Sequence, residues 1–158
     1  MFRELIRKKQ QLPEEECIDI LMKEVRGVLA VLGDDDYPYC LPMNHFYCPE
    51  DGKIYFHSGK SGHKVDAVMR HEKASFCVYD EGSVREGEWW KTFRSVIVFG
   101  RIEIIEDRET IYEISRRLSR KFTDDSEYIK NEIGSAGYRT LMFALVPEHI
   151  TGKLVKES

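Results

Sequence analysis

The residues best suited to chemistry stand close together, between His57 and Lys64, in the order His-Ser-Gly-Lys-Ser-Gly-His-Lys. An alternating apolar run precedes this stretch and a helical pattern follows it, so it is predicted to link a strand to a helix. Its two glycines let the backbone fold closely around an anion, and its hydroxyl, imidazole and ammonium groups supply donors and positive charge. The stretch is therefore typical of a phosphate-binding loop, although it matches neither the Walker pattern nor the GxGxxG fingerprint. A solvated glycine-containing loop explains the same residues equally well.

A second candidate ligand-binding segment runs from Tyr37 to Cys48. Pro38 and Pro42 lie within it. Because proline cannot donate to a central ladder, part of this segment must lie at a sheet edge or at a bulge. Backbone donors and acceptors are free there to meet a ligand.

The composition limits the class of protein. Of the 158 residues, 42% are hydrophobic and 33% are charged, and 24 Lys and Arg against 28 Asp and Glu give a net charge of −4. This balance is typical of one globular domain over residues 1–158, with residues 1–12 as an N-terminal extension, and it argues against nucleic acid as a partner. Since no run of about 18 apolar residues and no signal-like stretch occurs, we expect a cytoplasmic protein without a membrane span. The irregular spacing of Cys and His predicts no metal site. Four cysteines are too few for a disulfide scaffold in a chain of this length, so we expect no structural disulfide.

Periodicity divides the chain into helices and strands that must position these segments. Helical patterns cover residues 13–26, 61–72, 107–121 and 126–133. Strand patterns cover residues 28–32, 37–48, 53–58, 74–79, 93–105, 140–146 and 149–155. An antiparallel barrel with flanking helices fits this order best.

Several residues carry more detailed expectations. Ser61 and Asp107 are predicted N-caps, and Gly100 is a predicted bulge. Pro147 is expected to separate the last two strands. Residues 28–32 are expected to be buried on both faces, residues 134–137 to break the last helix, and Tyr79 and Phe99 to lie in the core. Trp89 and Trp90 fit a lid, a dimer contact or a surface loop.

Four segments, in this order along the chain, resemble the flavin-binding split-barrel family. They are Tyr39–Asn44, Ile54–Lys64, Phe93–Gly100 and Ile150–Lys153. The resemblance extends from about residue 14 to residue 154 and is closest to the pyridoxamine-phosphate-oxidase-related branch that includes the nitroimidazole-resistance proteins. It implies a mainly β fold, a split β-barrel of six to seven antiparallel strands with three to four helices.

The same resemblance implies FMN as the cofactor, bound at the interface of a homodimer. Main-chain groups of Leu41, Pro42, Met43 and Asn44 would lie beside the flavin ring. Ser58, His63 and Lys64 would hold the FMN phosphate, and His57 and Gly59 of the same stretch are further implied cofactor-binding residues. Ser95 would place a polar group against the flavin.

His57 matches the histidine that the nitroimidazole-resistance branch places near its flavin, which makes His57 the candidate catalytic residue. An imidazole there can donate a proton while a flavin delivers electrons, as reduction of a nitroaromatic or similarly electron-poor small molecule requires. A histidine satisfied by a backbone carbonyl is the plainer alternative. Other functions on the same barrel are flavin or haem binding without catalysis, the use of a deazaflavin in place of FMN, and pyridoxamine phosphate oxidation. The last fits less well because His63-Lys64 stands where those oxidases have Arg-Lys.

Overall fold

Antiparallel strands make up most of the computed structural model, which describes residues 1–136 and 139–157. The strands are β1 Arg26–Leu32, β2 Pro38–Asn44, β3 Phe46–Tyr47, β4 Ile54–Gly59, β5 Lys73–Tyr79, β6 Ser83–Val84, β7 Lys91–Ile105 and β8 Thr140–Glu157. The helices are α1 Glu14–Lys23, α2 His63–Arg70, α3 Arg108–Ser119 and α4 Ser126–Ala136, with single 3₁₀ turns at Lys8–Gln10 and Asp34–Asp36. None of these helices, within the part of the chain described, is long and apolar enough to cross a bilayer.

The strands form one curled sheet in the order β2-β1-β5-β7-β8-β4-β3, with β6 added to β7. The sheet curls until β2, at one end of this order, contacts β4 near the other end. The predicted edge position of the proline-containing strand is confirmed, since β2 pairs with β1 alone. The mainly β, split-barrel fold with flanking helices is therefore confirmed.

The inner face of the sheet holds the main core. Phe56, Phe76 and Phe143 are fully buried there and meet at ring-centroid distances of 5.0 and 5.3 Å. Ile20 and Leu21 of α1 close the core from one side. The alternation predicted for residues 54–57 is confirmed, because Ile54 and Phe56 lie in this core while Tyr55 packs on the other face with Ile114 of α3.

The long pair of β7 and β8 bends at one position. The register shifts between Phe99 and Gly100, which confirms the predicted bulge. Pro147 lies opposite Gly100, and β8 continues through it, so the predicted separation of two strands at Pro147 is wrong. The bulge explains the difference, because proline is tolerated where ladder pairing is locally disrupted.

One predicted helix end is confirmed, and three others lie at different residues from those predicted. Asp107 caps α3 as predicted, accepting a hydrogen bond from Thr110 N–H at 2.9 Å. The predicted cap at Ser61 is wrong; Gly62 holds the N-cap position with φ of +120°, which no side chain caps. Helix α1 ends at Lys23, before the predicted residue 26, because β1 already begins at Arg26. Helix α4 continues to Ala136, so the predicted break at 134–137 is wrong up to residue 136, and Gly137 lies outside the described residues.

One half of the outer face of the sheet carries exposed apolar residues. Val28, Ala30 and Leu32 of β1 are only half-buried, so the expectation that residues 28–32 are buried on both faces is wrong. Tyr79 and Phe99 were expected in the core but are exposed on this outer face, with Ile97 beside them. The reason is that alternation along a strand specifies two faces but not what covers each of them.

The buried His45 is expected to make the stability of the fold depend on pH. It is fully buried, its Nε2–H donates to the Leu21 carbonyl at 2.8 Å, and burial together with the nearby Lys121 charge lowers its pKa from 6.5 to about 4. The unfolded chain therefore binds a proton at higher pH than the folded chain does. We expect the free energy of unfolding to decrease as pH falls from about 6.5 to 4, by about 3 kcal/mol from this group.

Urea unfolding at pH 7 and at pH 4.5 measures this dependence, with His45→Gln as the comparison because glutamine retains a donor for Leu21. The variant should lose less stability on acidification than the natural chain does. Equal losses in the two proteins would mean that His45 does not cause the acid sensitivity.

Candidate functional site

The loop between β4 and α2 places Lys64 against the edge strand. Its Nζ lies 3.6 Å from Sδ of Met43 in β2 and is half-buried. Among the described residues, the ion pairs do not include Lys64, and burial lowers the pKa of its ammonium group. A partly buried cation without a counter-charge is costly, so an anion bound here would be stabilised.

The two glycines of this loop leave open space around it. A Cβ atom at Gly59 or at Gly62 would meet nothing within 4 Å. The positive φ of Gly62 turns the chain into α2 and leaves the first N–H groups of the helix without intrahelical partners. The loop therefore has both room and donors for an anionic group beside Lys64.

His63 is held by the turn that follows β1. Its ring stacks on Tyr39 of β2 with centroids 4.1 Å apart, and the Asp34 N–H donates to its Nε2 at 3.2 Å. The Asp34 carboxylate lies 3.7 Å from the same nitrogen. His63 and Lys64 thus both contact β2, so the structure brings the two sequence-predicted segments together.

Ser58 and His57 point to opposite faces of β4. Ser58 is buried on the inner face, where its hydroxyl donates to the Gly59 carbonyl at 2.6 Å. His57 lies on the outer face, opposite Met142 of β8. The cofactor-binding residues predicted in this stretch therefore differ in availability. Gly59 and Lys64 border the open loop, whereas the Ser58 hydroxyl already donates a hydrogen bond to the Gly59 carbonyl.

The segment 41–44 forms the free end of the sheet. Leu41 and Met43 pack toward the core, Pro42 is exposed, and Asn44 accepts a hydrogen bond from Arg26 at 3.0 Å. Since β2 has a strand partner on one side only, its other edge offers unpaired backbone donors and acceptors within the described chain.

Ser95 lies elsewhere in the sheet. It is half-buried on the outer face of β7, between Tyr79 of β5 and Lys153 of β8. Strands β1 and β5 separate β7 from β2, and along β8 the partner of Ser95, Lys153, lies 13 residues from Thr140, the partner of Gly59 in the loop. The structure therefore does not bring Ser95 together with the loop of the same chain.

His57 faces a cavity of about 340 Å³ between the sheet and the helices α3 and α4. The surrounding protein and, to a lesser degree, the Lys64 charge lower the pKa of its imidazole from 6.5. The ring is therefore neutral at neutral pH, able to accept a proton on one nitrogen and to donate from the other.

Sequence reasoning missed this cavity. The signal available was the pair of aromatic residues Phe122 and Tyr128, which interrupt an otherwise polar stretch. Trp89, by contrast, is exposed at the hairpin between β6 and β7, edge-on to the half-buried Trp90.

The effect of the Lys64 charge on the pKa of His57 can be tested without any ligand. Lys64→Met removes the repelling charge and keeps a side chain of similar bulk, so the pKa of His57 should rise toward 6.5. Titration of the His57 ring by NMR measures it. Lys60→Met is the matched control, because Lys60 is an exposed cation of the same loop. An unchanged His57 titration in Lys64→Met would mean that packing alone sets its pKa.

Three solved structures resemble this chain. A candidate 5-nitroimidazole antibiotic resistance protein from Bacteroides thetaiotaomicron has a TM-score of 0.76 and 18% identity, over 92% of this chain and 87% of that one. An FAD-binding protein from Mesorhizobium loti has a TM-score of 0.64 and 21% identity, over 92% and 97%. An FAD and haem binding protein from Mycobacterium smegmatis has a TM-score of 0.72 and 20% identity, over 92% and 73%. These likenesses establish a shared fold.

The family follows from the sequence itself. No curated protein matches the chain. A family model described as pyridoxamine 5'-phosphate oxidase, however, matches residues 13–154, which include both candidate binding segments and all strands except the last three residues of β8. The chain therefore belongs to the pyridoxamine 5'-phosphate oxidase family.

Proposed function

We propose that this chain binds FMN and acts as a flavin oxidoreductase that reduces nitroaromatic or similarly electron-poor small molecules. The observation that carries the proposal is the half-buried Lys64 beside the edge strand β2, without a carboxylate partner among the described residues. A phosphate group suits this arrangement, because it pairs with the ammonium group and accepts hydrogen bonds from the start of α2. Family membership, and neighbours whose names state FAD binding, support a flavin as the molecule that carries the phosphate.

The flavin ring would lie along the free edge of β2. One edge of that ring alternates donors and acceptors, and the unpaired backbone of residues 41–44 offers complementary groups. Since Lys64 reaches Met43, the phosphate site and this edge are adjacent. The residues present therefore fit FMN.

His57 is the proposed proton donor. Reduction of a nitro group to a nitroso group takes up two electrons and two protons and releases one water molecule. Bound FMN, reduced beforehand by a nicotinamide-type donor, would supply the two electrons. His57 would deliver one proton from its ring and recover it from solvent, while the second proton comes from the medium.

The proposed working unit is a homodimer with the flavin at the interface. Its support is the outer face of β1, β5 and β7, where Ile97 and Phe99 are 41% and 40% exposed. Exposed apolar side chains clustered on one sheet face are typical of an interface. Ser95 lies on this face, so Ser95 would reach a flavin bound by the second copy rather than by its own chain.

The first test is the cofactor itself. The purified protein should be yellow, with an absorbance maximum at about 450 nm, as for oxidised flavins generally. Lys64→Ala should weaken FMN binding by about 1.5–3 kcal/mol through loss of a charge-assisted contact, measured by fluorescence titration of the apoprotein. Lys60→Ala, in the same loop but exposed, should leave the affinity nearly unchanged.

Other outcomes would redirect the proposal. A colourless protein that shows no thermal shift with FMN would reject it. A Soret band would favour the haem-binding alternative, and turnover of pyridoxamine phosphate the oxidase alternative. Mass spectrometry of the ligand released on denaturation identifies the cofactor. In the FMN-loaded protein, His57→Gln should lower the rate of nitro reduction without a matching loss of FMN affinity.

The dimer has its own test. Ile97→Glu places a charge in the middle of the proposed interface, so the protein should become monomeric in sedimentation experiments and bind FMN more weakly. Met22→Glu is the control, because Met22 is also an exposed apolar residue but lies on α1. A natural chain that is monomeric at all concentrations, or an Ile97→Glu dimer, would contradict the proposal.

A further inference from the structure

The cavity over His57 has features of a small-molecule site. Its floor is the outer face of the sheet at His57 and Thr140, and its walls are α3, α4 and the segment that joins them. The volume of about 340 Å³ lies at the lower end of the range for ligand pockets. A single-ring or small fused aromatic compound fits this volume, whereas a dinucleotide does not.

Aromatic side chains form the apolar part of the wall. Phe122 and Tyr128 are 54% and 56% exposed although both line the cavity, and half-buried Ile133 lies with them. Two large rings left accessible beside one cavity can stack on a planar ligand at little entropic cost, because each has only two side-chain torsions. The wall therefore favours an aromatic ligand over a flexible aliphatic one.

Glu132 is the charged side chain that lines the cavity. Among the described residues that line it, Glu132 is the only one with a formal charge at neutral pH, and the others are apolar, hydroxyl-bearing or the neutral His57. The Tyr128 hydroxyl donates to Glu132 Oε1 at 3.5 Å, which keeps the carboxylate near the ring that would stack on the ligand. A carboxylate in this position repels anionic ligands and attracts cationic ones.

We propose that the cavity between α3 and α4 is the substrate site, that it takes neutral or cationic single-ring aromatic compounds, and that Glu132 excludes anionic ones. This inference rests on the proposed function for the reaction that follows binding, since His57 at the floor is the group that would protonate the substrate. Helix α4 thereby determines specificity, while the free edge of β2, which contacts β4, and the loop after β4 would hold the cofactor.

Binding can be measured without any redox chemistry. The probes are 4-(trifluoromethyl)benzylamine, 4-(trifluoromethyl)benzyl alcohol and 4-(trifluoromethyl)benzoate, titrated by fluorine NMR against the full chain with and without FMN. The amine and the alcohol should bind saturably, and the benzoate at least about tenfold more weakly than the amine, the size expected for one nearby charge.

Variants assign this selectivity to its residue. Glu132→Gln should reduce the ratio of amine to benzoate affinity to less than about threefold, and Glu132→Lys should reverse it. Glu127→Gln and Glu127→Lys are the matched controls, because Glu127 is an exposed carboxylate of the same helix that does not line the cavity. Phe122→Ala should weaken all three probes alike, whereas Tyr112→Ala, an exposed aromatic of α3 outside the cavity, should not.

The outcomes separate this inference from the proposed function. Equal affinities of the natural chain for amine and benzoate, no saturable probe binding, or the same shift with the Glu127 variants would overturn the inference, even in a protein that binds FMN. Charge-selective probe binding by a protein that binds no FMN would support the cavity and reject the proposed function. In an active protein, Glu132→Gln should raise KM for 4-nitrobenzylamine relative to 4-nitrobenzoate with little change in kcat.

Discussion

The bend in the β7–β8 pair is the constraint on which the rest of the structure depends. Gly100 faces the Val146 carbonyl so closely that a Cβ atom would collide with it, and Pro147 sits directly opposite Gly100. A bulge at this point increases local twist and bends both strands, so the sheet curls instead of remaining flat. The curl brings β2 near β4, and only then can Lys64, at the start of the helix after β4, reach Met43. The candidate site therefore depends on backbone geometry far from its own residues.

The curl also divides the outer face of the sheet into two halves, one covered by helices and the other exposed. Around His57 the face is covered by α3 and α4, which leave a cavity between themselves and the strands. Around Phe99 it carries exposed apolar residues, and the N-terminal Phe2 stacks there on His149 with ring centroids 4.8 Å apart. One half thus carries a cavity and the other an open apolar surface. Because Ser95 lies on the second half, a site that uses both Ser95 and Lys64 requires two chains.

The sequence predicted the features that depend on local pattern. The alternation of Ile54 to His57 identified the two faces of β4, and the interior Gly100 identified the bulge, since both signals act through nearest neighbours. It failed where distant elements decide the outcome. The local sequence predicts a strand break at Pro147 because its bulge partner is almost 50 residues away, and it predicts a buried Phe99 because alternation does not tell which face is covered. The aromatic pair Phe122 and Tyr128 did not by itself reveal the cavity for the same reason, as the lining comes from the four elements β4, α3, α4 and β8 and from the segment between the two helices.

An electrostatic effect couples the proposed phosphate site to His57, the candidate catalytic residue. The Lys64 ammonium group, in α2 after the loop that follows β4, helps to lower the pKa of His57 in β4. An anion bound at Lys64 would offset that charge, so the pKa of His57 would return toward its ordinary value and a larger fraction of the imidazole would carry a proton. Loading of the phosphate site would thereby prepare the proton donor, and an empty site would hold His57 neutral. In such an arrangement, the residue that binds the cofactor also regulates when the neighbouring histidine can act as an acid.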